Sequence, residues 1–153
     1  MKKPAPDWQI STWQELGRDE VYAILRCRVD VFVVEQQCAY GELDGKDRAA
    51  LHLAGRDKSG DIVAYARILP PLPGFPRPAI GRILVARHAR GNKLGKELVR
   101  KAIEVCRQKF GRQPIFISAQ LPLKNYYASL GFVPQGKPYN EDGIRHIRMQ
   151  LPT

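Results

Sequence analysis

The pattern of apolar and polar positions predicts several strands and one helix in the first half of the chain. Residues 8–13 alternate apolar and polar side chains, which predicts a first strand. A helical period follows over residues 20–33, with Asp19 placed to cap its start. Residues 49–54 and 62–69 predict two further strands joined by a hairpin turn. The second of these is almost continuously apolar, which is typical of a central strand buried on both faces.

The second half of the chain predicts a stricter alternation of strand and helix. Residues 79–87 predict a strand, and residues 93–110 form the strongest helix prediction because their apolar side chains keep to one face. A short strand, a short helix and two last strands are predicted over residues 114–119, 120–130, 132–134 and 143–151. This order indicates one mixed α/β domain over residues 1–153.

Composition and charge limit the classes of partner that the protein is expected to bind. The chain has 153 residues and a formal net charge of +10, from 25 Lys and Arg against 15 Asp and Glu. Such an excess favours nucleic acid, a membrane surface or a polyanionic small molecule. RNA-recognition aromatic motifs and zinc-finger spacings are absent, and no apolar run is long enough to span a membrane. We therefore expect no nucleic acid and no membrane as partner, with a nucleic-acid-binding protein kept as an alternative.

The cysteines indicate a reducing compartment. Cys27, Cys38 and Cys106 cannot all pair within one chain, and they form no C-x-x-C motif. The N-terminal segment is basic but lacks the apolar stretch of a secretory signal. We expect a cytoplasmic protein with reduced thiols. Cys27 and Cys106 fall on apolar helical positions, which favours a core role over a nucleophilic one.

One stretch, residues 80–98, joins an apolar strand, a basic glycine-containing turn and the start of a helix. The first N–H groups of a helix lack intrahelical partners and lie at the positive end of its dipole, so they favour an anion. The Walker P-loop and the G-x-G-x-x-G fingerprint are both absent. A different phosphate site and a charged turn without a ligand therefore remain the two interpretations. The glycines and basic residues of the turn are Gly91, Gly95, Arg87, Arg90, Lys93 and Lys96.

A second segment is acidic. Residues 35–47 predict a loop that carries Glu35, Glu42, Asp44 and Asp47. The D-x-D-x-D-G spacing of a calcium loop is missing, so we expect no metal there. A solvated acidic loop beside a basic body is the favoured interpretation.

The basic turn resembles the pyrophosphate-binding signature Q/R-x-x-G-x-G/A of the GNAT acetyltransferases. Arg90 takes the first position and Gly95 the last, while Lys93 replaces the middle glycine. A second motif of the family, Tyr-x-x-x-Gly-Phe, is matched by Tyr127 to Phe132 in the expected order. Further blocks resemble the ElaA-like branch, which also looks similar in carrying lysine at the middle position. The likeness covers nearly the whole chain.

The resemblance implies the GNAT-type acyl-CoA N-acyltransferase fold, with a mostly antiparallel central sheet, a splayed parallel strand pair and flanking helices. It implies acetyl-CoA as co-substrate and direct transfer to an amine acceptor through a tetrahedral intermediate. Backbone groups of Ile83, Leu84 and Val85 would pair with pantetheine, and an N–H near Leu84 or Val85 would stabilise the oxyanion. Tyr127 would contact the thioester and protonate the departing thiolate as general acid. The other implied cofactor contacts are Arg90, Gly91, Asn92, Lys93, Leu94, Gly95, Lys96 and Gln120.

The acceptor side is less defined by the resemblance. We expect Phe32, Glu35 and Glu42 to bind the acceptor, because carboxylates suit a cationic amine. Many family members carry a glutamate base on the strand before the phosphate loop, but here that strand bears Arg82, which cannot accept a proton. A non-catalytic acyl-CoA sensor is therefore an alternative, and a homodimer is left open. The candidates for the base are Glu35, Glu42, His52, His146 and water.

Overall fold

The computed structural model describes residues 4–153. Its strands are β1 (Asp7–Thr12), β2 (Leu51–Arg56), β3 (Ile62–Leu69), β4 (Ala79–Val85), β5 (Ile115–Gln120), β6 (Val133–Pro134), β7 (Tyr139–Glu141) and β8 (Ile144–Leu151). Its α-helices are α1 (Arg18–Val29), α2 (Leu94–Phe110) and α3 (Lys124–Ala128). A π-helical turn, Asp30–Glu35, directly extends α1. Across these residues, no helix has both the length and the apolar character needed to cross a bilayer.

One mixed sheet contains the described strands, in the order β1-β2-β3-β4-β5-β8-β6, with β7 paired to β8. The pairs β1–β2, β2–β3, β3–β4 and β5–β8 are antiparallel. Only β4 and β5 run parallel, and the pairing between them is Ala79 opposite Phe116. The predicted mixed α/β fold, with a mostly antiparallel sheet and a splayed parallel pair, is confirmed.

The two long helices pack on opposite faces of the sheet. Successive side chains of a strand point to opposite faces, and β3 uses both. Ala64 and Ala66 belong to the core cluster that contains Leu98 of α2, whereas Tyr65 belongs to the cluster that contains Ile24 of α1. This explains the apolar run of β3, which is buried from Ile62 to Ile68 as the sequence predicts.

Helix α1 differs from the prediction at both ends. It begins at Arg18, and its N-cap is Gly17 rather than Asp19. The Glu20 carboxylate accepts a hydrogen bond from the Gly17 N–H at 3.2 Å, so a glutamate at the third helical position satisfies a terminal N–H group. The α-helical part ends at Val29 and continues as a π-turn to Glu35, instead of ending at Val33. Such wide turns are rare and occur frequently at functional sites.

The later boundaries differ as well. Strand β5 runs on to Gln120, and Pro122 lies in a 3₁₀ turn before α3, so the predicted helix over 120–130 is reduced to five residues. Strand β2 begins at Leu51 and β4 ends at Val85. The sequence analysis missed β7. Asp142 and Gly143, with φ of 52° and 82°, form the tight turn that joins β7 to β8.

Helix α2 follows the prediction closely. It runs from Leu94 to Phe110, and Gly111 ends it with a φ of 76°. Its buried residues include Leu98, Ala102 and Cys106, which lie on the predicted stripe. The N-terminus of α2 is thereby fixed against the sheet, directly after the basic turn.

Candidate active site

A bulge in β4 opens the sheet. Tyr65 of β3 lies opposite Leu84 and Arg67 lies opposite Gly81, so Arg82 and Ile83 together face one residue of β3. Arg82 has a φ of 50°, in the left-handed region. An extra residue of this kind bends its strand and increases the local twist. After Ala79 the strand therefore diverges from β5, and a gap forms between them.

The backbone of Val85 faces this gap. The Ala86 N–H donates to the Val63 carbonyl of β3 at 2.8 Å. Backbone groups alternate in direction along a strand, so those of Val85 point away from β3, while those of Leu84 point toward Tyr65. The backbone of Val85 is therefore better placed than that of Leu84 to make the predicted contacts with pantetheine and the oxyanion.

The gap is part of a cavity of about 720 Å³. It is bordered by the π-turn, β4, β5, β8 and α3. Eight of the predicted site residues line it: Phe32, Glu35, Ile83, Leu84, Val85, Arg90, Gln120 and Tyr127. The base candidate His146 also lines the cavity, whereas Glu42, His52 and the basic-turn residues from Gly91 to Lys96 do not. The Gln120 amide also donates to the Gln36 side chain at 3.1 Å, which ties β5 to the π-turn across the cavity.

The basic turn lies at the start of α2, beside this cavity. Gly91 has a φ of 94°, and Lys93 is the N-cap of α2 with a φ of 58°. Lys93 thus adopts the left-handed conformation that glycine reaches most easily, so the turn forms even though the middle glycine of the motif is missing. The side chain of Leu94 is buried in the core, which leaves only its backbone N–H for a ligand. Asn92 and Lys93 are exposed, whereas Lys96 is half-buried.

Gly95 is required by a close contact. A Cβ atom on this residue would lie 2.9 Å from the Tyr126 hydroxyl oxygen. The Tyr126 ring packs edge-on against Tyr127, with ring centroids 5.2 Å apart. The last glycine of the motif therefore lets α2 approach the helix that carries Tyr127.

Arg90 and Glu35 form an ion pair. The two guanidinium nitrogens lie 2.9 and 3.1 Å from the two carboxylate oxygens, and Arg90 Nε donates to the Val85 carbonyl at 3.0 Å. The residue predicted to bind phosphate and the residue predicted to bind the acceptor thus neutralise each other. A ligand that pairs with the Val85 carbonyl therefore shares this oxygen with Arg90 or displaces Arg90 from it.

Tyr127 is buried beneath the cavity. Its side chain packs edge-on against Tyr126 and Phe132 and is 7% exposed. Burial raises the pKa of its phenol above the ordinary value, and the neighbouring Tyr126 raises it further. The hydroxyl therefore stays protonated at neutral pH, as a proton donor must.

Six charged residues form what we call the ionic cluster: Arg28, Glu42, Asp44, Asp47, Arg67 and Arg82. Arg28 is fully buried and donates to Glu42 at 2.7 Å and to Asp47 at 2.5 Å. Arg82 binds the same Glu42 oxygen at 2.7 Å, and Arg67 donates two 2.7 Å bonds to Asp44. The predicted solvated acidic loop is therefore wrong. Its carboxylates tie the loop to α1, β3 and the β4 bulge.

Glu42 consequently lies behind the cavity, not in it. It is 3% exposed and also accepts a hydrogen bond from the Tyr40 hydroxyl. The sequence held one signal of this cluster, since Arg28 occupies an apolar position of α1. A buried arginine requires carboxylate partners, and the acidic loop supplies them.

The two histidine candidates have different surroundings. His52 is 1% exposed, and its ring nitrogens contact the Tyr65 hydroxyl and the Asp47 carbonyl. Burial lowers its pKa, so it is a neutral structural residue. His146 lines the cavity, and its Nε2 lies 3.2 Å from Glu141. The sequence analysis did not single out Glu141, although the Asp-Gly pair after it is a hairpin signal.

The cysteines of the helices are structural. Burial raises the pKa of both Cys27 and Cys106 to about 12. Thiols of this kind stay protonated and are poor nucleophiles. Among residues 4–153, no group of three or more His, Cys, Asp or Glu side chains is arranged to hold a metal ion.

Comparisons with known proteins agree with this geometry. A family model described as an acetyltransferase (GNAT) domain matches residues 16–152. The chain is 41% identical over 145 residues to the protein ElaA of Escherichia coli K12, and the alignment covers 94% of each. The crystal structure of E. coli ElaA aligns with a TM-score of 0.88 at 39% identity over 95% of this chain and 98% of that one. An acyl-CoA N-acyltransferase from Pseudomonas aeruginosa aligns with a TM-score of 0.90 at 37% identity, with the same coverage.

Proposed function

Since this chain belongs to the GNAT acetyltransferase domain family, we propose that it is an acetyl-CoA-dependent N-acetyltransferase that transfers the acetyl group directly to a primary amine. The observation that carries this proposal is the divergence of β4 and β5 after the Arg82 bulge. It leaves the backbone groups of Val85 without a partner strand and places them in the cavity that Tyr127 borders.

The residues present fit an acyl-CoA. Its amide-bearing arm requires strand-like backbone partners, which Val85 and Ile83 offer in the gap. Its pyrophosphate requires N–H donors and positive charge, which the backbone from Asn92 to Lys96 offers at the N-terminus of α2. Gly95 keeps α2 and α3 close at this point. Acetyl-CoA would supply an activated thioester, and the chain's own residues orient it.

Two groups of the chain perform the chemistry in this proposal. The Val85 N–H points into the gap and would donate to the oxyanion that forms when the amine attacks. The buried phenol of Tyr127 stays protonated and would give its proton to the departing thiolate. No covalent intermediate on the protein is required, because the amine attacks the thioester carbon directly.

The acceptor class is a primary amine that is cationic in solution. Phe32 and Glu35 border the cavity and are the proposed acceptor contacts. Glu42 is not proposed as a contact, because the ionic cluster encloses it. We also propose a cytoplasmic location, because the three cysteines are free and thiols stay reduced in the cytosol. The homodimer stays a prediction.

The experiment is a CoA thiol-release assay over a panel of small and peptidic amines, with Tyr127→Phe beside the wild type. We expect turnover by the wild type and a loss of kcat of about 100-fold in the variant, typical of general-acid removal. Acetyl-CoA affinity by calorimetry should change little, because the ring and its packing are kept. Tyr126→Phe is the matched control, since that hydroxyl lies against Gly95, outside the cavity lining.

The possible results distinguish an acetyltransferase from a non-catalytic acyl-CoA sensor. Acetyl-CoA binding without turnover of any amine would favour the non-catalytic sensor. A protein that does not bind acetyl-CoA at all would contradict both.

A further inference from the structure

A second proton-carrying group borders the same cavity. The His146 Nδ1 lies 2.8 Å from the Ile144 carbonyl oxygen. A carbonyl only accepts, so Nδ1 carries a hydrogen and the other ring nitrogen is the one that exchanges protons. That nitrogen, Nε2, lies 3.2 Å from the Glu141 carboxylate. One proton therefore fits between two atoms that can each hold it.

The cavity lining also contains Glu35, Asp44 and Asp142, and two of these carboxylates, Glu35 and Asp44, differ from Glu141 in their partners. Glu35 is held by Arg90, and Asp44 is held by Arg67 and Arg82. A guanidinium stays charged, so each of these two carboxylates already faces a permanent cation. The partner of Glu141 is an imidazole, whose ring nitrogen can either accept or donate a hydrogen bond.

The surroundings hold this pair in place and give it access to water. His146 is 8% exposed, lies opposite Gln120 in β5 and stacks on the Tyr139 ring at 6.2 Å. Tyr139 is hydrogen-bonded to Ser118, which lies 3.5 Å from Glu141. The Glu141 side chain is 49% exposed, so it opens to both the cavity and solvent.

We propose that the Glu141–His146 pair is the general base that takes the proton of the acceptor amine. This inference rests on the proposed function. The ammonium gives one proton to the pair in the state in which neither Nε2 nor the Glu141 carboxylate carries it, and its nitrogen then forms the C–N bond. The C–S bond breaks, the thiolate takes the Tyr127 proton, and the second nitrogen proton restores the phenol. The proton held by the pair leaves to solvent through Glu141.

The pair also accounts for the missing strand glutamate. Arg82 occupies that strand and binds Glu42, so β4 offers no base. Strands β7 and β8 lie beyond β5 in the sheet, and they bring a carboxylate and an imidazole to the same cavity. The tight turn at Asp142 and Gly143 sets their separation.

The test uses Glu141→Gln and His146→Asn. Glutamine keeps the size of Glu141 without its charge, and asparagine keeps a donor for the Ile144 carbonyl while it removes Nε2. We expect kcat/KM for the amine to fall about 100-fold at neutral pH in both, with the KM for acetyl-CoA within twofold. Asp61→Asn is the matched control, because it removes an exposed carboxylate charge outside the cavity lining. It should lose less than threefold.

The pH profile distinguishes a base from a structural residue. Without the pair, the amine must arrive already neutral, so the variants should gain activity about tenfold per pH unit and approach the wild type in alkali. A constant ratio across pH, or full activity of Glu141→Gln, would overturn the inference while leaving the acetyltransferase intact. An inactive wild type would instead refute the proposed function and this inference with it. Glu141 is half-exposed, so its variant decides the matter even if His146→Asn unfolds.

Discussion

The ionic cluster and the Glu141–His146 pair both contribute charged residues to the cavity lining, and they differ in how fully their charges are paired. The ionic cluster sets three arginines against three carboxylates, and its Arg28 and Glu42 side chains are 0% and 2% exposed. The Glu141–His146 pair has one carboxylate against one imidazole, and half of Glu141 is open to solvent.

The difference separates structure from chemistry. In the ionic cluster every carboxylate faces at least one guanidinium, which holds its charge at all ordinary pH values, so the cluster can only fix geometry. It fixes the acidic loop and Arg82 at the bulge, and hence the gap beside β4. The Glu141–His146 pair lacks a permanent cation, so its protonation can change during a reaction. A carboxylate thus has a structural role in the ionic cluster, whereas in the Glu141–His146 pair it is a proposed proton acceptor.

Breaking the ionic cluster should have the largest effect. Arg28→Met removes the guanidinium that binds Glu42 and Asp47 and leaves buried carboxylates without it. We expect a loss of about 3–5 kcal/mol in the free energy of unfolding, as for a broken buried pair, measured by urea denaturation. Arg26→Met is the control: Arg26 is 72% exposed and pairs with Asp30 at 3.9 Å, so it should cost less than about 1 kcal/mol. Equal losses for the two variants would contradict the structural role of the cluster.

A smaller effect is expected where α2 meets the helix of Tyr127. Gly95→Ala would place a Cβ 2.9 Å from the Tyr126 hydroxyl and push that ring against Tyr127. We expect about 1–3 kcal/mol of destabilisation from overpacking, together with weaker acetyl-CoA binding by calorimetry.

The rescue sharpens this prediction. Tyr126→Phe removes the clashing oxygen, so the double variant should recover most of the stability that Gly95→Ala loses. If the double variant is no more stable than Gly95→Ala alone, the contact is not the reason for the glycine.

The smallest expected effect is the loss of stabilisation by Asp44 at acidic pH. Burial raises the pKa of Asp44, but hydrogen bonds from Arg67 and Lys46 outweigh it, so the pKa lies well below its ordinary value. The carboxyl pKa of the unfolded chain is about 4. A lower pKa in the folded chain stabilises the fold when the pH is above that value, and this stabilisation is lost as the pH falls from there toward the folded-state pKa. The difference in unfolding free energy between wild type and Asp44→Asn should therefore be full at pH 6 and shrink toward pH 2. A difference that does not change with pH would show that the Asp44 charge does not stabilise the fold.

Much of the fold follows from local pattern. Helix α2 repeats an apolar face over seventeen residues and ends at a glycine, and β3 is apolar on both sides, so periodicity alone identifies them. The basic turn and Tyr127 follow from short motifs whose spacing is preserved. The π-turn after α1 and the three-residue β7 are too short and too irregular to leave a periodic signal.

The candidate site likewise has one part that the sequence predicts and another that depends on tertiary structure. The sequence by itself determined which strand, turn and helix form the predicted cofactor side, because those contacts come from consecutive residues. Tertiary structure alone decided that Glu42 is enclosed, that Arg90 pairs with Glu35, and that Glu141 meets His146 at the cavity. The first two outcomes depend on a one-residue bulge in β4 and on pairings between distant segments, such as Glu35 with Arg90. The hairpin that joins Glu141 to His146 is local, but the cavity that it borders is formed by distant segments. A carboxylate's role is set by which cation reaches it and by how much water remains, and neither is encoded in the residues beside it.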